Sequence, residues 1–135
     1  MKQRVFVITL LLTATLSGIA QDRYAYGGPE ELRGVTRVYV DTAADLDLRN
    51  VFKKILEQER NLTVVDQPEE ATHWVIFRWF GPSPYWARTI IVTNVTAPMP
   101  RLLFSVRNSE AELDDLTRDA AKAVAKAYRN ANTTN

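Results

Sequence analysis

Three aspartates and the single histidine are the residues whose types and spacing could do chemistry in this chain. Asp41, Asp45 and Asp47 follow a strand-like run, at the position where ligands often bind in open α/β sheets. Their oxygens suit Ca²⁺, although the spacing is not that of an EF-hand loop, and capping of the next helix explains at least one of them. Together with His73 they form one predicted ligand site, which would serve a small secreted enzyme or a binder of a metal or small molecule.

Other catalytic constellations do not stand out in the sequence. A lone histidine cannot build a catalytic triad or a two-histidine metal site by itself. The pair Gly27-Gly28 is followed by proline and not by a strand–helix junction, so it is not a phosphate-binding loop. We therefore expect a protein that is not an enzyme and that carries no metal and no cofactor, with the ligand site above as the alternative.

The stretch WVIFRWFGPSPYWAR, residues 74–88, contains all three tryptophans of the chain. Its aromatic residues Tyr85 and Trp86 come just after a stiff Gly-Pro-Ser-Pro link, close to Arg78 and Arg88. Rings and guanidinium groups of this kind can hold a sugar, a peptide or a partner's side chain by stacking and charge-assisted hydrogen bonds. These four residues are the predicted partner-binding surface. In the alternative interpretation, the rings of Tyr85 and Trp86 fold back over the hairpin and close the core.

The elements that must position these residues follow from the periodicity of the apolar side chains. Five strands are predicted, at 35–40, 61–66, 73–80, 88–96 and 101–107. One amphipathic helix with an apolar stripe from Leu48 to Leu56 follows the first strand. A second helix, with an apolar stripe from Leu113 to Tyr128, ends the domain, and Ser109 with Glu112 has the spacing of a capping box at its start.

This order of elements predicts a protein of the α+β class. A helical crossover lets the first two strands lie parallel, whereas short links make the last three an antiparallel meander. Both helices have one apolar face and can cover the same side of the sheet. The predicted architecture is a two-layer α/β sandwich with a mixed five-stranded sheet.

Length and composition suit one exported domain. A positive start, an apolar run and small residues before Gln21 have the order of a secretory signal peptide, predicted to be residues 1–20. The remaining divisions are a flexible lead-in at 21–34, a single domain at 35–130 and a frayed tail at 131–135. Without residues 1–20 the formal charge changes from +1 to −1, which argues against nucleic acid as a partner. The chain has no cysteine to carry a lipid or a disulfide.

Residues 35–80 resemble small periplasmic α/β domains of bacterial envelope proteins, of the TolB amino-terminal and curli-secretion lipoprotein type. The shared pattern is a strand ending in aspartate, an amphipathic helix, a short strand and a further strand after a Pro-Glu-Glu-Ala motif. The matching residues are Val38, Val40, Leu56, Leu62, Val64, Val65, Glu70, Ala71 and Val75. Thr72 and His73 stand where an acidic residue is usual, and the cysteine of the lipoprotein members is missing.

The resemblance implies a non-enzymatic domain that contacts other proteins, and it carries over no catalytic residue. We accordingly expect a periplasmic or secreted protein with no stable membrane insertion after cleavage behind Ala20. Its expected partner is an envelope protein or a polysaccharide.

Overall fold

The computed structural model describes residues 25–34, 36–93 and 98–133. The predicted signal peptide lies outside these ranges, as do the start of the predicted lead-in and the end of the predicted tail. The strands are β1 (Ala25–Tyr26), β2 (Thr36–Asp41), β3 (Leu62–Val64), β4 (His73–Phe80), β5 (Tyr85–Thr93) and β6 (Arg101–Glu110). The helices are α1 (Leu46–Leu56) and α2 (Leu113–Thr133), with 3-10 turns at Pro29–Leu32 and Pro68–Glu70.

The strands form one mixed sheet in the order β1-β6-β5-β4-β2-β3. β2 is parallel to both β3 and β4, β4 to β6 form an antiparallel meander, and β1 is parallel to β6. The predicted α+β sandwich with a parallel crossover and an antiparallel meander is confirmed. The sheet has six strands and not the five that were predicted. The prediction missed β1, because a strand of two residues is too short to leave a periodic pattern in the sequence.

Both helices pack on one face of the sheet, which we call the inner face. The core there joins Val38 and Val40 of β2 to Val75 and Phe77 of β4, and it includes the apolar stripes of α1 and α2. The ring of Phe52 in α1 lies 5.2 Å from that of Phe77. Strand alternation sends the neighbouring side chains to the opposite, outer face.

The amino-terminal cap of α1 agrees with the sequence prediction. The Asp45 carboxylate accepts a hydrogen bond from the Leu48 N–H at 3.1 Å, so one of the first free donors of the helix has a partner. The predicted capping box of the last helix was wrong. Ser109 lies within β6 and its hydroxyl donates to the Tyr85 carbonyl at 3.0 Å, since β6 extends three residues further than predicted.

The segments on either side of the predicted domain also differ from expectation. Residues 25–34 were predicted to be a flexible lead-in, but Leu32 is only 3% exposed and Glu31 forms an ion pair with Arg101 at 2.6 Å. The predicted frayed tail is helical as far as Thr133, with Asn132 hydrogen-bonded to the carbonyls of Leu32 and Tyr128. Tertiary contacts order both segments, and neither carries a periodic signal of its own.

The outer face of the sheet is divided into two halves. At one end lies a small apolar cluster, in which the rings of Trp74 and Tyr39 are 5.2 Å apart. Ile76, Ile90 and Val92 belong to the same cluster and are at most 2% exposed. At the other end, polar and aromatic side chains replace the aliphatic ones, and the candidate site lies there.

Candidate functional site

Three arginines stand side by side across the outer face, and we call them the arginine row. Arg78 of β4 lies directly opposite Arg88 of β5, and Arg88 lies directly opposite Arg107 of β6. Residues paired in this way have Cβ atoms about 5 Å apart, and like charges so placed repel each other. Counter-ions, ring stacking or a bound ligand can offset this repulsion.

Arg78 at one end of the row is compensated within the protein. Its guanidinium donates to the Asp41 carboxylate at 3.1 Å and to the backbone carbonyls of Asp41 and Phe77 at 3.0 and 2.8 Å. Both side chains are largely buried, with 21% of Arg78 and 14% of Asp41 exposed. Arg78 is therefore a fixed, neutralised end of the row.

An aromatic pair lies on the next rung of the sheet. Phe80 is opposite Trp86, and their rings are stacked with centroids 4.3 Å apart. The Arg107 guanidinium lies 4.5 Å from the centroid of the same Trp86 ring, in a cation–π contact. Phe80 reaches the ring from β4 and Arg107 from β6, so the two groups occupy its opposite faces.

Arg88, in the middle of the row, differs from Arg78 in its surroundings. Within residues 25–34, 36–93 and 98–133 its side chain makes no hydrogen bond, ion pair or ring contact. It is half-buried, between one arginine held by Asp41 and another stacked on Trp86. Among the described residues, the site therefore presents one guanidinium without a hydrogen-bond partner, next to a second one that stacks on Trp86.

The structure brings together three of the four residues predicted to bind a partner. Arg78, Trp86 and Arg88 share the outer face, but Tyr85 does not. β5 begins at Tyr85, three residues earlier than predicted, and alternation turns Tyr85 to the inner face. There its ring makes an edge contact with Trp79 at 5.6 Å and packs against the main core. Placing Tyr85 beside Arg78 was therefore wrong.

Sequence reasoning missed two members of this surface, Phe80 and Arg107. Phe80 lies two residues after Arg78 in the same strand, so alternation alone puts the two side chains on one face. Arg107 could be found only after pairing the strands, because the register brings it onto the rung of Arg78 and Arg88. The sequence contained a weak signal for Arg107. Arg107 stands two residues beyond Ser105 in an alternating strand, which marks a polar face but does not say what lies opposite.

The alternative ligand site is not assembled. Asp41 binds Arg78 and the Ala43 N–H, Asp45 caps α1, and Asp47 is exposed in the first turn of that helix. His73 lies opposite Val38, whereas Asp41 lies opposite Ile76, so they are about 10 Å apart along the strands and on opposite faces.

His73 instead forms a buried pair with a residue of α2. Its Nδ1 is 2.8 Å from the Tyr128 hydroxyl, and burial lowers the pKa of His73 to about 4. Burial also raises the pKa of Tyr128. Both groups are consequently neutral near pH 7, which is suited to a structural contact.

Two further findings concern the described ranges alone. No three histidine, cysteine, aspartate or glutamate side chains there are grouped closely enough to hold a metal ion. Neither α1 nor α2 combines the length and hydrophobicity that a bilayer-spanning helix requires.

Solved structures of other proteins have a similar fold. TolB from Acinetobacter baumannii aligns with 72% of this chain at 12% identity, with a TM-score of 0.52. The chain shares its fold with part of TolB. This confirms, for the fold, the resemblance seen in the sequence, and the aligned region extends beyond residues 35–80. The match covers 28% of the TolB chain, so this protein corresponds to little more than a quarter of that molecule.

Two smaller proteins show weaker likeness. The uncharacterised lipoprotein B from Nitrosomonas europaea aligns with 70% of this chain and 83% of its own, at 13% identity and a TM-score of 0.44. A minor lipoprotein from Acinetobacter baumannii aligns with 71% of this chain and 94% of its own, at 10% identity and a TM-score of 0.39. No family model matches the sequence, and no curated protein matches it either.

Proposed function

We propose that this protein is an exported, non-enzymatic domain of the bacterial cell envelope that binds a protein partner through the outer face of its sheet. The order of charged, apolar and small residues before Gln21 supports export. The fold shared with part of TolB supports an envelope role, since the sequence resembles that family. The observation that carries the proposal is the arginine row with its aromatic pair.

The composition of this surface favours a protein over a sugar. Arginine and tryptophan dominate the energetically important positions of protein interfaces, while lysine is depleted there. The described lysines, at 53, 54, 122 and 126, all lie on α1 or α2. The basic residues of the outer face, as far as the structure describes it, are therefore arginines. Phe80 and Arg107 occupy the two faces of the Trp86 ring, so neither face of that ring is free for a sugar to stack on.

The binding face can be tested by site-specific photo-crosslinking in bacterial cells that export the full chain. A photo-reactive residue at Ser105, which is exposed on the outer face beside the arginine row, should form adducts with a protein. The same residue at Lys122, exposed on α2, is the matched control. We expect adducts from position 105 and few or none from position 122. Equal labelling from both positions, or adducts to glycan only, would contradict the proposal.

Export has a separate test. Fractionation should place the protein in the periplasm or the medium, and intact-mass measurement should show an amino terminus at Gln21. A full-length chain in the cytoplasm would remove the envelope part of the proposal.

A further inference from the structure

We infer that the arginine row recognises carboxylate groups on an acidic segment of the partner protein. The inference rests on the proposed function and adds the chemistry of the partner. In this inference, the guanidinium N–H groups of Arg88 and Arg107 donate hydrogen bonds to carboxylate oxygens of the partner.

The charges of the arginine row are only partly balanced by the described acidic side chains. Within the described part of the chain, Asp41 is the one acidic side chain that pairs with the row, and it binds Arg78 at 3.1 Å. Arg88 and Arg107 form no ion pair among the described residues. Two adjacent cations without counter-ions, next to a third, repel one another on a sheet. An incoming carboxylate relieves that repulsion and gains charge-assisted hydrogen bonds at the same time.

The geometry suits a carboxylate in particular. Arg88 and Arg107 are direct cross-strand neighbours, so their guanidinium groups can be bridged by one carboxylate or can each bind one. The planar guanidinium fork matches the two oxygens of a carboxylate, and holding the fork beforehand lowers the entropy lost on binding. Trp86, fixed against Phe80, supplies that support for Arg107.

Other anionic partners fit this surface less well. Nucleic acids and anionic membranes are bound by broad basic fields, usually with clusters of four or more lysines and arginines. In the described ranges, two cations without an ion pair, Arg88 and Arg107, stand together here, and stacked aromatic rings border them on one side. A peptide can supply one or two carboxylates together with an apolar neighbour that packs against the edges of those rings.

The test measures peptide binding to the protein purified from the exported fraction, by isothermal titration calorimetry. The probe is a short synthetic peptide with two glutamates flanking a phenylalanine, and its partner has glutamine in place of both glutamates. We expect the glutamate peptide alone to bind, with an affinity that falls as salt is added. Equal binding of both peptides would overturn the inference.

Three variants test whether Arg88 binds the glutamate peptide. Arg88→Gln should weaken binding of the glutamate peptide about tenfold, the usual scale of a lost charge-assisted hydrogen bond. Arg60→Gln, which removes the same charge from an exposed position after α1, should bind as the parent does. Arg88→Lys keeps the charge without the fork and should recover only part of the affinity. An unchanged affinity in Arg88→Gln would contradict the inference.

Two further arms separate the possible anions. Inorganic phosphate and vesicles containing phosphatidylglycerol should compete poorly, and competition as strong as that of the glutamate peptide would overturn the choice of a peptide. Failure of the inference is distinguishable from failure of the proposed function. Adducts from Ser105 together with no preference for glutamate would reject the carboxylate chemistry and leave a protein-binding face.

Discussion

At the scale of single residues, the only histidine of the chain is a buried structural group. His73 is 5% exposed, its ring is stacked on that of Tyr128, and their polar atoms are 2.8 Å apart. Because burial lowers the pKa of His73 to about 4, the unfolded chain, with an ordinary value near 6.5, binds more protons between these two pH values. Stability should therefore rise with pH across that window.

The expected size of this effect makes it measurable. Between pH 6.5 and pH 4 the free energy of unfolding should fall by up to roughly 3 kcal/mol through His73. Urea unfolding at several pH values would show the slope, and His73→Asn should flatten it whatever its own stability. The neighbouring carboxylate Asp119 raises the pKa of Glu110, which gives a slope of the opposite sign. Hydrogen bonds from arginine side chains lower the pKa values of Glu31 and Asp66, and these two groups give a slope of the same sign near the acid end of the window. The comparison is therefore made above about pH 5, where a slope that persists in His73→Asn would refute this account.

At the scale of elements, the end of α2 holds the segment that precedes β2. The Asn132 side chain accepts a hydrogen bond from the Gly34 N–H at 2.7 Å and donates to the Leu32 and Tyr128 carbonyls. Arg33 adds a bond to the Ala131 carbonyl at 3.2 Å. Residues about a hundred positions apart are thus joined, and the buried Leu32 side chain is kept in the core.

Removal of this contact should loosen the segment before it unfolds the domain. Asn132→Ala should reduce the free energy of unfolding by about 1–2 kcal/mol, since several hydrogen bonds are lost at once. Amide hydrogen exchange in residues 25–34 should accelerate, while β4 and β5 should change little. Thr133→Ala, one residue further along the helix, is the matched control. Equal exchange in both variants would show that Asn132 does not hold the segment.

At the scale of the whole molecule, two layers are held together without a cross-link. The chain has no cysteine, so the core between α2 and the sheet must supply the stability. Ala120, Ala121 and Ala125 of α2 are at most 2% exposed, and these small side chains let the helix approach the sheet closely. The alanines therefore set how closely the helix approaches the sheet, and the large side chains fill the space between the two layers.

A larger side chain at this interface should separate the layers. Ala120→Leu should destabilise the protein by about 1–3 kcal/mol through overpacking, as measured by thermal unfolding. Lys122→Leu adds a similar side chain to the exposed face of the same helix and should change stability by less than about 0.5 kcal/mol. If both variants unfold at the parent's temperature, the layers are not closely packed at Ala120.

Local patterns in the sequence determined the elements and their broad arrangement. The alternating residues of β2, the run of bulky residues in β4, the apolar stripe of α1 and the cap at Asp45 are short-range features, so the sequence alone indicates them. The short link at 81–84 likewise indicated an antiparallel pair. Segments without such a pattern, such as β1 and the end of α2, could not be recognised, because long-range contacts order them.

The composition of the candidate site was decided by strand register. Arg78 and Arg88 belong to one hairpin, whereas Arg107 lies on the following strand, and only the register places all three on one rung. A shift of one residue in the pairing of β5 would exchange its two faces. The observed register puts Trp86 beside the arginines and Tyr85 in the core. Asp41 and His73, which the sequence analysis grouped in one site, lie on opposite faces because β2 and β4 pair with Val38 opposite His73 and Asp41 opposite Ile76.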